Sequence, residues 1–168
     1  MKESSLIGFS RGDFSGSSFQ AMNPVTGLDL GVEYVHASEA ELNRACELAQ
    51  KASPPMASLS GEVKAHFLRS LADLIDGAVD ELVEIMPTET GLPEGRVRGE
   101  AARTSGQLRM FGNLVEEGSW VDARIDGANP DRQPLPKPDL RAMLRPVGPV
   151  AVFCASNFPL AFSVAGGG

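Results

Sequence analysis

Apolar positions recur along this chain in two rhythms: a helical spacing through the middle and a consecutive run near the end. Leu42, Ala45, Cys46 and Ala49 fall at i, i+3, i+4 and i+7, one face of a helix. Just ahead, Ser38-Glu39-Ala40-Glu41 has the form of a capping box, in which the Ser hydroxyl accepts an N3 amide and the Glu reaches back. Pro54-Pro55 is expected to close this helix. Val63, Phe67, Leu71, Leu74, Ile75 and Ala78 predict a second helix after Ser60, with His66 beside the stripe and Gly77 marking a break. Val79, Leu82, Val83 and Met86 carry a third helical face toward Glu89-Thr90-Gly91. Pro87 lies inside that pattern, where it removes a donor and crowds the Val83 carbonyl, so a kink or an early end is expected. Pro93 suits the first turn of a fourth helix. Val97, Ala101, Thr104, Leu108, Phe111 and Val115 sustain that helix as far as Gly118. Gly95, Gly99, Gly106 and Gly112 each weaken it by roughly 1 kcal/mol relative to Ala. It therefore depends on tertiary packing, or on close approach by a neighbour.

The flanks read differently. Residues 1–18 are rich in Gly and Ser without a period and are expected to form a flexible arm. Phe19-Gln20-Ala21-Met22, the turn signal Asn23-Pro24-Val25-Thr26-Gly27 and Leu28–Val35 together predict a hairpin. Ser119–Asp139, with Pro130, Pro134, Pro136 and Pro138, has no clear period and reads as a long crossing segment. Leu140–Arg145 can form a strand, and Pro146-Val147-Gly148-Pro149 a turn. The run Val150–Cys154 suits a strand buried on both faces of a parallel sheet. Ser156 or Asn157 can cap a helix with Pro159 in its first turn. The expected class is α/β. Residues 1–18 form the arm, 19–118 a hairpin with helices, 119–146 the crossing segment, and 147–168 the first strand and helix start of a sheet that is incomplete in itself.

Composition narrows the function classes. The 168 residues include 22 acidic and 15 basic side chains, a net charge of −7. That balance argues against a nucleic-acid partner, which needs clustered Lys and Arg, and against attraction to anionic membranes. From Pro149 to Gly168 no residue is charged, but Asn157, Pro159 and the glycines interrupt the stretch, so a spanning helix is not expected. A buried strand and helix start fits it better. Cys46 and Cys154 form no disulfide framework, which suits a cytoplasmic protein. The N-terminus has no apolar core of a secretory signal.

Familiar catalytic signatures are absent: no SxxK, GxxxxGK[ST], HExxH, or GxGxxG after a strand. His36 and His66 lack a metal-binding context, so no metal is expected. Cys46 reads as a small core residue, and the acidic residues of the helices as solvated surface. Chemical promise concentrates in Cys154-Ala155-Ser156-Asn157-Phe158-Pro159, at the end of the expected buried strand, where open α/β sheets bind ligands. The Asn157 side chain can donate to a developing oxyanion, or it can simply cap a helix. Cys154 is disfavoured as a nucleophile, because no His base lies near it in sequence and an apolar strand would raise its pKa.

Arg145-Pro146-Val147-Gly148-Pro149-Val150-Ala151-Val152-Phe153 followed by Ser156-Asn157-Phe158-Pro159-Leu160 resembles the NAD(P)-dependent aldehyde dehydrogenase superfamily. The likeness extends through Asn23–Gly27, Glu89-Thr90-Gly91-Leu92-Pro93 and Gly106-Gln107-Leu108-Arg109. With Asp131-Arg132, Pro134-Leu135-Pro136 and Pro138-Asp139-Leu140-Arg141, it is most similar to the α-ketoglutaric semialdehyde (2,5-dioxovalerate) dehydrogenase branch, with NADP-dependent fatty aldehyde dehydrogenases as neighbours. The resemblance implies a Rossmann-like sheet beginning near residue 147 and an oligomerisation-type strand within 119–146. It implies that Asn157 helps hold the substrate carbonyl oxygen. Phe153, Cys154, Ala155 and Ser156, with Asn157, would line the site of NADP or NAD, and Phe158 would lie near the substrate entrance. Ser156 stands where other branches carry Trp, and Pro87 where relatives carry a good helix former. The family's catalytic Cys, general-base Glu and cofactor-phosphate residues follow the Asn-Phe-Pro motif and match nothing in these 168 residues. The implied function is oxidation of an aldehyde, α-ketoglutaric semialdehyde, to a carboxylate by a cytoplasmic homo-oligomer, with this chain alone inactive. The alternatives are a non-catalytic fragment docking on subunits through Leu140–Arg145, and a self-sufficient helical scaffold.

Overall fold

The computed structural model describes residues 2–164; the closing glycines lie outside the described residues. Among the described residues, no helix is long and apolar enough to cross a membrane.

Four long helices carry the middle of the chain. Helix α1 spans Glu39–Ser58, α2 Gly61–Gly77, α3 Val79–Thr90 and α4 Glu94–Glu117. The Ser38 capping box is complete, with Glu41 N–H on the Ser38 hydroxyl and the Glu41 carboxylate returned to Ser38 N–H at 2.8 Å. Ser60 caps α2 through Val63 N–H. Gly77 ends α2, as its break signal predicts. Gly118, in the left-handed conformation (φ 88°), ends α4, where a side chain would be strained.

The prolines behave differently from expectation. Helix α1 runs through Pro54-Pro55 to Ser58. The carbonyls that lose their donors belong to Gln50 and Lys51, which are exposed, so water can replace the missing bonds. Helix α3 likewise passes Pro87 and ends only at Gly91. Its last turn is tied by hydroxyls, with Thr88 donating to the Ile85 carbonyl at 2.7 Å and Thr90 to that of Met86 at 2.6 Å. Pro93 is the residue before α4 rather than its first.

Helix α4 forms the core. Val97, Ala101, Thr104 and Leu108 are buried, as the spacing predicts, together with Glu100, Ser105 and Gly112. It packs chiefly on α2, and that crossing is built on small residues. Ala65 and Ala72 are the buried residues of α2, while Val63, Phe67 and Leu74 of the predicted stripe are exposed. A Cβ on Gly112 would stand 3.5 Å from the Ala65 carbonyl, in ordinary contact, and one on Gly61 would collide with the Val115 carbonyl. A short distance between axes therefore selects Ala and Gly over the larger apolar residues. Gly95, Gly99 and Gly106 have open space, and only Gly112 of the four faces a neighbour at contact distance. Arg69 of α2 crosses to α4, donating to Asn113 and to Glu116 at 2.6 Å. That guanidinium holds the Glu116 carboxyl below its usual range.

Helix α1 stands apart from this core. Leu42 and Cys46, expected to be packed, are exposed. Amphipathic spacing creates an apolar face but not a partner for it, and among the described residues no helix covers this one.

The N-terminal residues are not an arm without structure. β1 (Lys2–Glu3) pairs in parallel with β5 (Asp29–Val35), and β2 (Leu6–Ile7) forms a small hairpin with β3 (Ser10–Arg11). Ile7 is buried. Glu41 also accepts Asp13 N–H at 2.6 Å, which fastens this segment to α1. The bonds from Ser38 and Asp13 hold the Glu41 carboxyl below its ordinary value. The predicted hairpin is present: β4 (Ser18–Met22) runs antiparallel to β5, with Val25 and Thr26 N–H on the Asn23 side chain in the turn.

Beyond α4 the chain opens out. β6 (Arg124–Asp126), unmarked in the sequence pattern, pairs antiparallel with β7 (Leu140–Ala142), which is shorter than the expected Leu140–Arg145 strand. The strand expected at Val150–Cys154 is not formed, and these residues are exposed. A central parallel strand exists only through ladders on both sides, and among the described residues none runs beside it.

Candidate active-site loop

The first two turns of α4 support the segment that carries the candidate chemistry. Glu100 is only 3% exposed. Its Oε1 accepts from Arg96 Nε at 3.1 Å. Its Oε2 accepts the backbone N–H groups of Leu160 and Ala161, each at 3.3 Å. Those two amides open the short helix α5 (Ala161–Val164). Arg96 in turn donates to the Asn157 backbone carbonyl at 3.2 Å and lies 4.2 Å over the Phe158 ring. Phe158 stacks on Phe162 with centroids 4.7 Å apart. Phe158 N–H closes the turn onto the Ala155 carbonyl at 2.9 Å. The turn Ala155–Phe158 is thus held by a buried carboxylate, a guanidinium and a ring stack.

This arrangement bears on the capping alternative for Asn157. Neither Ser156 nor Asn157 caps a helix. The helix begins at Ala161 rather than near Pro159, and its first amide, Ala161 N–H, is taken by Glu100. A local cap was expected, but a carboxylate 60 residues earlier reaches Leu160 N–H instead. Asn157 and Ser156 are exposed, and their side chains have no hydrogen-bond partner among the described residues. Asn157 contributes its backbone to the scaffold and leaves its side-chain amide unengaged.

The other singled-out residues are less organised. Phe153 is 89% exposed, and Cys154 is an exposed free thiol. Ala155 and Phe158 are half-buried. Among the described residues, no group of three or more His, Cys, Asp or Glu side chains could hold a metal. A cavity of about 340 Å³ between the end of α1 and Pro146–Val150 is mainly apolar. Its one charged lining residue, Lys64, donates to the Ala57 carbonyl at 3.1 Å.

Arg96 and Glu100 are the supports of the candidate loop that sequence reasoning missed, and reading all helical acids as solvated surface is corrected at Glu100. A signal was present. Glu100 sits three residues after Val97 and four before Thr104, inside the apolar stripe, where a carboxylate is rarely buried without a partner.

Comparison with known proteins gives this loop its context. The profile described as "Aldehyde dehydrogenase family" matches residues 12–166. The α-ketoglutaric semialdehyde dehydrogenase 2 of Azospirillum brasilense is 46% identical over 164 residues, covering 96% of this chain and 31% of that protein. The α-ketoglutaric semialdehyde dehydrogenase of Acinetobacter baylyi is 41% identical over 150 residues, covering 89% of this chain and 28% of that protein. Among solved structures, 3,6-anhydro-L-galactose dehydrogenase in complex with NADP superposes with a TM-score of 0.80 at 22% identity, covering 97% of this chain and 32% of that one. That likeness concerns the fold. The chain therefore spans about a third of the length of the relatives it matches. On the strength of the match across residues 12–166, the chain belongs to the aldehyde dehydrogenase family.

Proposed function

We propose that this chain supplies the oxyanion-binding loop of an enzyme that oxidises an aldehyde, α-ketoglutaric semialdehyde, to its carboxylate with NADP or NAD. The observation that carries the reading is the unengaged side-chain amide of Asn157 on a turn whose backbone Arg96 holds. As a nucleophile adds to the aldehyde carbon, negative charge gathers on the carbonyl oxygen. An amide donor already in place stabilises that charge without reorganising, and losing one such donor costs about 100- to 1000-fold in kcat. The identity to α-ketoglutaric semialdehyde dehydrogenases supports the choice of substrate.

The nicotinamide dinucleotide supplies the hydride acceptor. Phe153, Cys154, Ala155, Ser156 and Asn157 would lie along its nicotinamide end. They suit that role because Ser156 and Asn157 offer polar atoms free of partners among the described residues. Phe158 lies toward the substrate side, its ring fixed by Arg96 and Phe162. Cys154 is not the nucleophile: among the described residues no base or cation is bonded to its thiol, which an activated Cys requires. The 168 residues alone are inactive in this reading. A cytoplasmic homo-oligomer is the proposed working form, and the exposed β6–β7 ribbon supports it.

A second reading, a non-catalytic chain that docks on other subunits, draws on the exposure of Leu140, Met143 and Leu144 along β7 and beyond. One experiment separates the two. In the longest natural polypeptide carrying this sequence, Asn157→Ala is assayed with α-ketoglutaric semialdehyde and NADP or NAD. A fall in kcat of about 100- to 1000-fold with KM little changed supports the oxyanion role. An unchanged kcat removes it. Enzyme-like turnover by the 168 residues alone contradicts their proposed inactivity.

A further inference from the structure

We propose that Glu100 is a positioning residue for Asn157, acting with Arg96 as a clamp that sets where the Asn157 amide points. The inference rests on the proposed oxyanion role of Asn157 and goes beyond it, because neither Glu100 nor Arg96 touches the reacting atoms. A carboxylate that is 3% exposed requires compensation. Here both oxygens have it: Arg96 Nε on one, and Leu160 and Ala161 N–H on the other. All three partners are donors, so the site needs acceptors on both sides. A Gln in place of Glu100 would turn an NH2 toward either the guanidinium or the two amides and lose one half of the clamp. Arg96 is equally particular. Its planar head serves Glu100 through Nε and the Asn157 carbonyl through a terminal nitrogen while its face covers Phe158. A Lys ammonium cannot make these three contacts at once. The turn bearing Asn157 is therefore indexed to α4, the best-packed helix of the chain, rather than to its own sequence neighbours.

The test compares Glu100→Gln, Arg96→Lys and Asn157→Ala, singly and in pairs, in the longest natural polypeptide carrying this sequence. Amide hydrogen exchange across residues 155–164 is the structural readout. Glu100→Gln should speed exchange at Leu160 and Ala161 and lower kcat about 10- to 100-fold, as a displacement near 1 Å can, with KM little changed. In the Asn157→Ala background the same change should cost almost nothing further, because there is no donor left to aim. A merely structural role predicts the opposite, a similar additional loss in both backgrounds, and that result overturns the proposal. If Glu100→Gln does not fold, Arg96→Lys decides: it leaves the two amide bonds intact and should show the same dependence on Asn157. If Asn157→Ala leaves kcat unchanged, the oxyanion reading falls and the clamp's proposed purpose with it. If Asn157→Ala is severe but Glu100→Gln is additive, only the clamp is wrong.

Discussion

Helix α4 carries an apolar stripe, the segment Val147–Phe153 is uncharged throughout, and the two end in opposite environments. Val97, Ala101 and Leu108 are buried. Val147 and Phe153 stand 94% and 89% exposed. The difference lies in what each needs from its neighbours. A helix satisfies its own backbone and needs only a facing surface, which α2, α3 and α5 provide for α4. A central strand needs other strands for its hydrogen bonds before its side chains can be covered. Apolar sequence is thus a demand for cover that local chain alone can meet only for helices.

Substitutions can test that contrast. The largest effect on stability is expected for Leu108→Ala, which opens a cavity in the α2–α4 core and should cost about 2–5 kcal/mol in denaturant unfolding. Gly61→Ala should follow at about 1–3 kcal/mol, because the new methyl meets the Val115 carbonyl and forces the two helices apart. Phe153→Ser should change stability by no more than about 0.5 kcal/mol while reducing binding of a hydrophobic dye. A Phe153→Ser loss as large as that of Leu108→Ala would show the exposed segment packed in solution and dissolve the contrast.

The smallest effect concerns Glu41. Its carboxyl is held below its ordinary value by bonds from Ser38 and Asp13. Its contribution is therefore complete above the unfolded value and lost as pH falls through the lower folded one. Glu41→Gln should flatten the acid limb of the stability profile slightly, read by thermal unfolding as pH falls below the ordinary carboxyl value of about 4.3.

The helices were legible because caps and spacing are local. Ser38 with Glu41 and Ser60 with Val63 act within one turn of chain. Pro54 and Pro55 misled because water can reach the Gln50 and Lys51 carbonyls that lose their donors, which lowers the cost of an interior Pro there. Packing was only half legible. The 3–4 spacing located the buried face of α4, but on α2 the close crossing chose Ala65 and Ala72 over Val63 and Phe67. At the candidate loop, motif and resemblance pointed to Asn157. The stripe marked Glu100 as buried, but its partners Leu160 and Ala161 were invisible, because they lie across a separation no local pattern encodes.

Chain synthesis runs from the N-terminus, so Glu100 leaves the ribosome 60 residues ahead of the Leu160 amide that it holds. Over that interval the carboxylate has Arg96 and water for company, and the start of α4 must stay wet around it. The end of the loop is made last, and only once its amides reach Glu100 can that stretch of α4 dry.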